Sequence, residues 1–306
     1  MKSLWQIKTL LLLVFGLFPL NPGLAGGLKM PEETAMINCF FKNLYNFSFS
    51  SADSVLQVIN SSDMDEVTKS NINANMAWWK LLSGENIESN LEICDSSINE
   101  SISSALRDKH RDINSLLNVI YSYSLKARLE NYRGKTLRSL IYFYKSITYV
   151  EKCIGRPERD EKLDLVLGIY YYFIDYIESE YFMTRAMFIS FPKGDKIKGL
   201  KYLETCAASL DEMIRTEANY FLLKIYSYLE KDFKKAYISA EILTRLHPNN
   251  LVYSVEQYKL LLKMKKQEEA QLFRRKLIEE IHLAKNINGV QKNHFMSQLD
   301  KPGLKL

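Results

Sequence analysis

Residues 216–250 read TEANYFLLKIYSYLEKDFKKAYISAEILTRLHPNN, and the spacing of their small and apolar side chains decides the fold. Ala218, Leu222 and Tyr226 recur four apart, so they fall on one face of a helix. Phe233, Ala236, Ala240 and Leu243 form the facing stripe of a second helix, which Pro248-Asn249-Asn250 ends. Only Glu230-Lys231-Asp232 separates the two, and helices joined by so few residues lie antiparallel as a hairpin. A small side chain such as Ala236 near the start of the second helix lets the first helix pack close against it.

Working outward, the same small residue recurs shortly after each turn signal. Ala52 follows Phe49 and Ala270 follows Gln267 as Ala236 follows Phe233, while Ser89, Ser139 and Gly199 each lie five residues after Gly84, Gly134 and Gly194. Ala77 and Ala127, twelve residues before Ser89 and Ser139, are the partner small positions in the first helices. Apolar residues three and four apart run through almost the whole chain, with hardly any period-two alternation, which predicts about a dozen helices and an all-α fold. The repeat-packing set is thus Ala77, Ser89, Ala127, Ser139, Gly199, Ala236, Ala270 and Pro248, and about six hairpins are expected.

The 214–250 stretch resembles a tetratricopeptide repeat. It departs from that pattern at Leu223, where a small residue is usual, and in the turn at Glu230-Lys231-Asp232, one residue longer than standard. The pieces Ala74-Asn75 with Ala77-Trp78-Trp79 and Ser83-Gly84-Glu85, Tyr121-Ser122-Tyr123 with Ala127-Arg128, Gly168-Ile169-Tyr170-Tyr171-Tyr172, and Phe191-Pro192-Lys193-Gly194-Asp195 resemble, in order, a group of uncharacterised exported tetratricopeptide proteins of Bacteroidota. The resemblance implies a right-handed superhelical solenoid and a place in the cell envelope, and it supplies no catalytic residues.

The N-terminus carries Lys2 and Lys8, an apolar run over 9–20, and small residues Gly23 and Ala25, the pattern of a secretory signal cleaved after Ala25. The run is shorter than the roughly 20 residues a membrane span needs. The expected domains are therefore a signal peptide at 1–25, a helical solenoid at 26–284 and a polar C-terminal tail at 285–306. The exported product would be periplasmic or secreted, with no membrane span, and peripheral to any envelope complex it joins. Cys39, Cys94, Cys153 and Cys206 would enter that compartment as buried thiols or as bridges in any of three pairings. Their spacing fits no metal motif, and His110, His247, His282 and His294 close none.

Lys and Arg total 41 against 36 acidic residues, and loss of Lys2 and Lys8 leaves 39 against 36, a net +3 too small and dispersed to indicate nucleic acid. No nucleophile elbow, phosphate loop, dinucleotide fingerprint, zinc-protease motif or paired-carboxylate motif occurs, so no enzyme activity, cofactor or metal is expected. The run Lys193, Lys196, Lys198 and Lys201 reads as a solvated face.

Function then rests on what a series of hairpins displays. A concave face built of first helices can hold an extended peptide or a partner helix, and its candidate residues are Asn75, Trp78, Tyr121, Arg128, Tyr172, Asn219 and Tyr226. The leading expectation is a non-enzymatic exported scaffold for protein or peptide binding. The alternative is a small-molecule or lipid-binding protein using the aromatic cluster from Tyr170 to Phe182, which packs between repeats in the first reading and lines a cavity in the second.

Overall fold

The computed structural model describes residues 31–108, 112–157, 160–180 and 191–300. The expected signal segment at 1–25 and the expected insertion at 184–190 lie outside them. All regular structure among the described residues is helical. The α-helices are α1 (Pro31–Tyr45), α2 (Phe49–Ser61), α3 (Glu66–Leu82), α4 (Ile87–Arg107), α5 (Ile113–Tyr132), α6 (Thr136–Val150), α7 (Glu161–Glu180), α8 (Lys196–Cys206), α9 (Glu212–Lys224), α10 (Phe233–Leu246), α11 (Leu251–Lys263), α12 (Gln267–Leu283) and α13 (Gly289–Asp300). They pack in adjacent pairs, including α1 with α2, α5 with α6, α7 with α8 and α11 with α12.

Two local devices alternate along the chain. First helices begin at an acidic or amide cap: the side chains of Asp65, Asp112, Asp160, Asp211 and Asn250 accept bonds from the backbone N–H groups that open α3, α5, α7, α9 and α11. Second helices begin at a tight left-handed turn. Phe47, Gly134 and Lys265 have positive φ, and around them the next N–H reaches back to the carbonyl five residues before it, as Ser48 does to Asn43, Lys135 to Glu130 and Lys266 to Leu261. This is the doubled 6→1 and 5→2 bonding that closes a helix C-terminus.

Four residues past the residue that precedes each second helix comes the close contact. There the N–H of Ala52, Asn90, Ser139, Gly199, Ala236 and Ala270 makes the first helical bond to the carbonyl of Ser48, Asn86, Lys135, Asp195, Asp232 and Lys266. All six residues are buried. The expected Ser89 is exposed and is corrected to Asn90, because the turn at Gly84-Glu85-Asn86 is one residue longer than the one at Gly134-Lys135. Ala77 and Ala127 are buried on the first helices, as their small size requires of a packing position.

Gly199 shows why size matters here. A Cβ on it would stand 2.5 Å from the backbone nitrogen of Tyr172 and 2.8 Å from the Gly168 carbonyl oxygen. The segment before it is pinned to α7 as well. The Tyr170 hydroxyl donates to the Pro192 carbonyl at 2.6 Å, the Asp175 carboxylate accepts from the Lys196 N–H at 2.8 Å, and Asp195 caps α8 through the Lys198 N–H.

The chain divides into two compact units. One holds 65–71 and 95–221, and within it the polar face of α5 is buried by partners rather than exposed. Ser122 and Asn71 both meet the Ser101 hydroxyl at 2.6 Å, and Ser124 pairs with Ser146 at 3.0 Å. The other holds 31–64, 72–94 and 222–300, so chain-distant segments meet inside it. Tyr45, Phe47, Trp79, His247, Tyr253 and Phe295 form one buried aromatic cluster, with neighbouring ring centroids 5.1–6.0 Å apart. Asn250, while capping α11, also donates to the Tyr45 carbonyl at 2.8 Å.

The expected polar tail is corrected over 289–300. Those residues form α13, with Gln291, Phe295 and Leu299 buried. The Gln291 amide donates to the Ser83 hydroxyl at 2.8 Å and the Glu85 carboxylate at 3.0 Å, and the His294 ring sits against Gly84. No apolar stripe signals this helix, because its hold on the fold is partly polar.

Two substitutions test the turn geometry. Gly199→Ala drives a methyl into the α7 backbone and is expected to cost about 1–3 kcal/mol, read as a lower urea midpoint. Lys265 is exposed at φ 60, so Lys265→Gly relieves the left-handed strain and is expected to raise stability by about 0.5–1 kcal/mol.

Candidate functional site

The structure buries all seven residues expected to line a groove. Asn75, Trp78, Tyr121, Arg128, Tyr172, Asn219 and Tyr226 are each no more than 4% exposed. The groove expectation is therefore corrected, since side chains so enclosed offer no face to an extended peptide. Asn219 instead ties down local backbone by donating to the carbonyls of Ala207 and Arg215. Tyr172 packs edge-on against Phe173 and parallel to Tyr176. Tyr170 and Tyr171 meet edge-on in the same way, so the described part of the aromatic run is filled by its own rings. Two first helices are covered on every side: nearly every residue from 115 to 131 of α5, and all of 251–261 in α11, are buried.

Burial on all sides forces polar side chains of first helices to find partners or remain costly. The clearest case starts from the extra residue expected in the turn Glu230-Lys231-Asp232, whose place the structure corrects. The Glu230 N–H bonds to the Ile225 carbonyl, five residues back, at 3.0 Å, and Ile225–Leu229 is a π-helical turn. The extra residue thus enters the end of the first helix, and the turn itself keeps a left-handed residue, Lys231, before Asp232, whose side chain caps α10. One inserted residue turns every later side chain by about 100° around the helix. Such bulges often mark functional positions.

Against this π-turn lies Glu256 of α11. Its Oε2 accepts from the Lys224 ammonium at 2.9 Å and from the Tyr228 hydroxyl at 3.4 Å, and its Oε1 accepts from Lys259 at 3.3 Å. The side chains of Lys224, Glu256 and Lys259 are 6%, 3% and 8% exposed. Lys263, one turn further along α11, sets its ammonium 4.1 Å from the Tyr228 ring centroid, and Lys224 lies 5.4 Å from the same ring.

Burial alone would raise the Glu256 pKa, but the charges of Lys224 and Lys259 outweigh it and hold the carboxyl well below the usual range. Burial lowers the Lys224 ammonium to about 8, with Glu256 pulling in the opposite direction. Burial likewise pushes the Tyr228 hydroxyl upward. These groups form a buried, strongly perturbed cluster of the kind that marks candidate sites.

A second cluster offers a contrast. In the other unit, Asp95 accepts from Lys126 and, at 2.8 Å, from Arg133, whose guanidinium also lies 3.5 Å from Glu130. Burial would raise the Asp95 pKa, yet hydrogen bonds from Lys126 and Arg133 lower it. Two cations meet two carboxylates there, and the arrangement serves to hold α4 on α5.

The cysteines stand as thiols. Cys94, Cys153 and Cys206 are buried and donate to the carbonyls of Ala74, Tyr149 and Glu161, whereas Cys39 is exposed. Burial pushes the Cys206 thiol up to about 12, which makes it inert at neutral pH. Among the described residues, no group of His, Cys, Asp and Glu is placed to hold a metal, and no helix is long and apolar enough to cross a membrane. Comparison of the chain with protein-family models, curated proteins and solved structures finds no match.

Because Glu256 is ionised more readily in the folded chain than its ordinary value near 4.5, its stabilisation is present above that value and lost as pH falls through the lowered folded-state value. Glu256→Gln leaves buried ammoniums without this counter-charge and is expected to cost about 3–5 kcal/mol near neutral pH. The measurement is the urea midpoint from pH 7 to pH 3, where the gap between wild type and variant should narrow with acidification.

Proposed function

We propose that the chain is a non-enzymatic scaffold of tetratricopeptide-like hairpins, wound as a right-handed solenoid of about six units, that is exported and binds a protein or peptide in the cell envelope. The observation that carries this reading is the recurrence, at six second-helix starts, of the same buried position four residues past the turn. That regularity is what a repeat scaffold requires, since each unit is built to meet its neighbours. Polar side chains also tie helices together, as Asp95 ties α4 to α5 and Asn219 ties α9 to the end of α8.

With first helices such as α5 and α11 enclosed, binding falls to the outward faces of second helices. Those faces carry large aliphatic side chains where solvated helices usually place polar ones. On α6, Leu137 and Ile141 lie one turn apart and are 69% and 52% exposed. Ile238 on α10 and Leu272 on α12 occupy the corresponding outward position to Ile141, six residues past the turn.

Site-specific crosslinking from α6 in envelope extracts of the native host tests the reading. The double variant Leu137→Glu/Ile141→Glu is expected to lose its crosslinked partner while its urea midpoint changes by less than about 0.5 kcal/mol per site, as surface substitutions do. An unchanged set of crosslinked species would remove α6 as the binding face.

A further inference from the structure

Two second helices of the unit holding 95–221, α6 and α8, share a feature that the other second helices lack. Two residues before their buried contact positions, Ser139 and Gly199, stand Leu137 and Ile197, and one residue before them stand Arg138 and Lys198. Leu137 and Ile197 are 69% and 83% exposed, and both cations beside them are exposed. In α2, α4, α10 and α12 the same two positions hold Ser50-Ser51, Glu88-Ser89, Lys234-Lys235 and Glu268-Glu269, with no aliphatic side chain. The aliphatic–cation pair is thus confined to two consecutive hairpins. Tyr144 of α6 meets Phe191, which leads into α8, edge-on at 5.3 Å, so these hairpins are tied together within the unit.

The charge around the two tips is of one sign. No acidic residue occurs in α6 from Thr136 to Val150, or in α8 from Lys196 to Leu203. Lys135, Arg138 and Lys145 are exposed on one hairpin, and Lys193, Lys198 and Lys201 on the other. None of these cations forms an ion pair among the described residues. Half-buried tyrosines lie beneath them: Lys145 is 5.3 Å from the Tyr142 centroid, Lys198 is 4.0 Å from that of Tyr171, and Tyr171 stacks on Tyr202 at 6.2 Å.

Water satisfies exposed lysines without any partner, so the charge alone assigns nothing. The aliphatic tips standing among the cations are what need a partner to leave water. The lysine run at 193–201, expected as a solvated face, surrounds Ile197. A protein partner would have to offer a fitted pocket to each protruding tip. Acyl chains receive separate side chains without one, while tyrosines sit at headgroup level and long-stemmed cations reach the lipid phosphates.

We propose that the edge formed by the first turns of α6 and α8 seats the protein on an anionic lipid surface, with Leu137 and Ile197 entering the interface and Arg138, Lys198 and Lys201 lying on the headgroups. The surface goes beyond the scaffold reading, which assigns a protein partner to the outward face of α6. Leu137 belongs to both faces, so the variants below avoid it, and vesicle binding and crosslinking from α6 succeed or fail separately.

The test mixes the full chain with vesicles of phosphatidylcholine alone, or of equal parts phosphatidylcholine and phosphatidylglycerol, and reads the bound fraction by co-sedimentation. The apolar run over 9–20 is present in every sample, so the comparison of variants with wild type decides. Wild type is expected on the anionic vesicles, and less of it as salt is added, because screening shortens the reach of the cations. Arg138→Gln/Lys198→Gln removes two charges worth about fivefold each at an anionic surface and is expected to weaken binding about 25-fold. Ile197→Ser is expected to weaken it about tenfold or more, through the lost aliphatic contact. All three positions are exposed, so the urea midpoints should stay near that of wild type. Equal binding to both vesicle types, or wild-type binding by either folded variant, would overturn the proposal. Absence from the vesicles, with a crosslinker at 197 capturing an envelope protein, would overturn it as well and assign the face to an acidic protein.

Discussion

Every hairpin turns on one steric constraint: a second helix must leave a left-handed or equally tight turn and, within one helical turn, bring its backbone close to the first helix. The side chain at that point stands between two backbones, so its volume sets their separation. Gly199 is the extreme, with the Tyr172 backbone occupying the space a methyl would need. Ala52, Ser139, Ala236 and Ala270 are fully buried at the equivalent place. Asn90 shows that the position accepts a larger residue when it is folded back, since its amide donates to the Glu85 carbonyl at the turn.

Close pairing has a consequence for the interior. Where first helices such as α5 and α11 are enclosed, polar residues cut off from water pair with one another across the helices. Ser122 and Ser124 find hydroxyl partners, Lys126 finds Asp95 and Asn99, and Lys224 finds Glu256. These bonds add little net stability by themselves but penalise any register that leaves one unmade. They therefore specify how helices align, while apolar burial drives them together. The π-turn at Ile225–Leu229 belongs to the same logic, because it brings Tyr228 to the Glu256 carboxylate.

The hairpins were legible because their signals are local. Small residues after turns at Ala52, Ser139, Gly199, Ala236 and Ala270 follow from spacing. Ser89 was misplaced by one residue because spacing counted from Gly84 ignores the extra residue in that turn. The groove residues differ from expectation for another reason. Trp78, Tyr121 and Arg128 look like display positions when first helices are assumed to border solvent, and nothing in their own spacing reveals that they are enclosed. The Glu256 cluster has no local signature, because Lys224 and Glu256 are 32 residues apart and each looks like an ordinary surface charge.

By itself the sequence determined the all-helical class, the pairing of successive helices and most of the small contact positions, since these follow from periodicity, caps and turns within a few residues. Only the tertiary structure decided which polar side chains are interior, that Tyr45, Trp79, His247 and Phe295 share one cluster, and that 289–300 docks as a helix. The reason is physical. Helix formation is governed by neighbours three and four residues away, whereas burial and charge pairing depend on which distant segment arrives alongside, and that is not written in any local pattern.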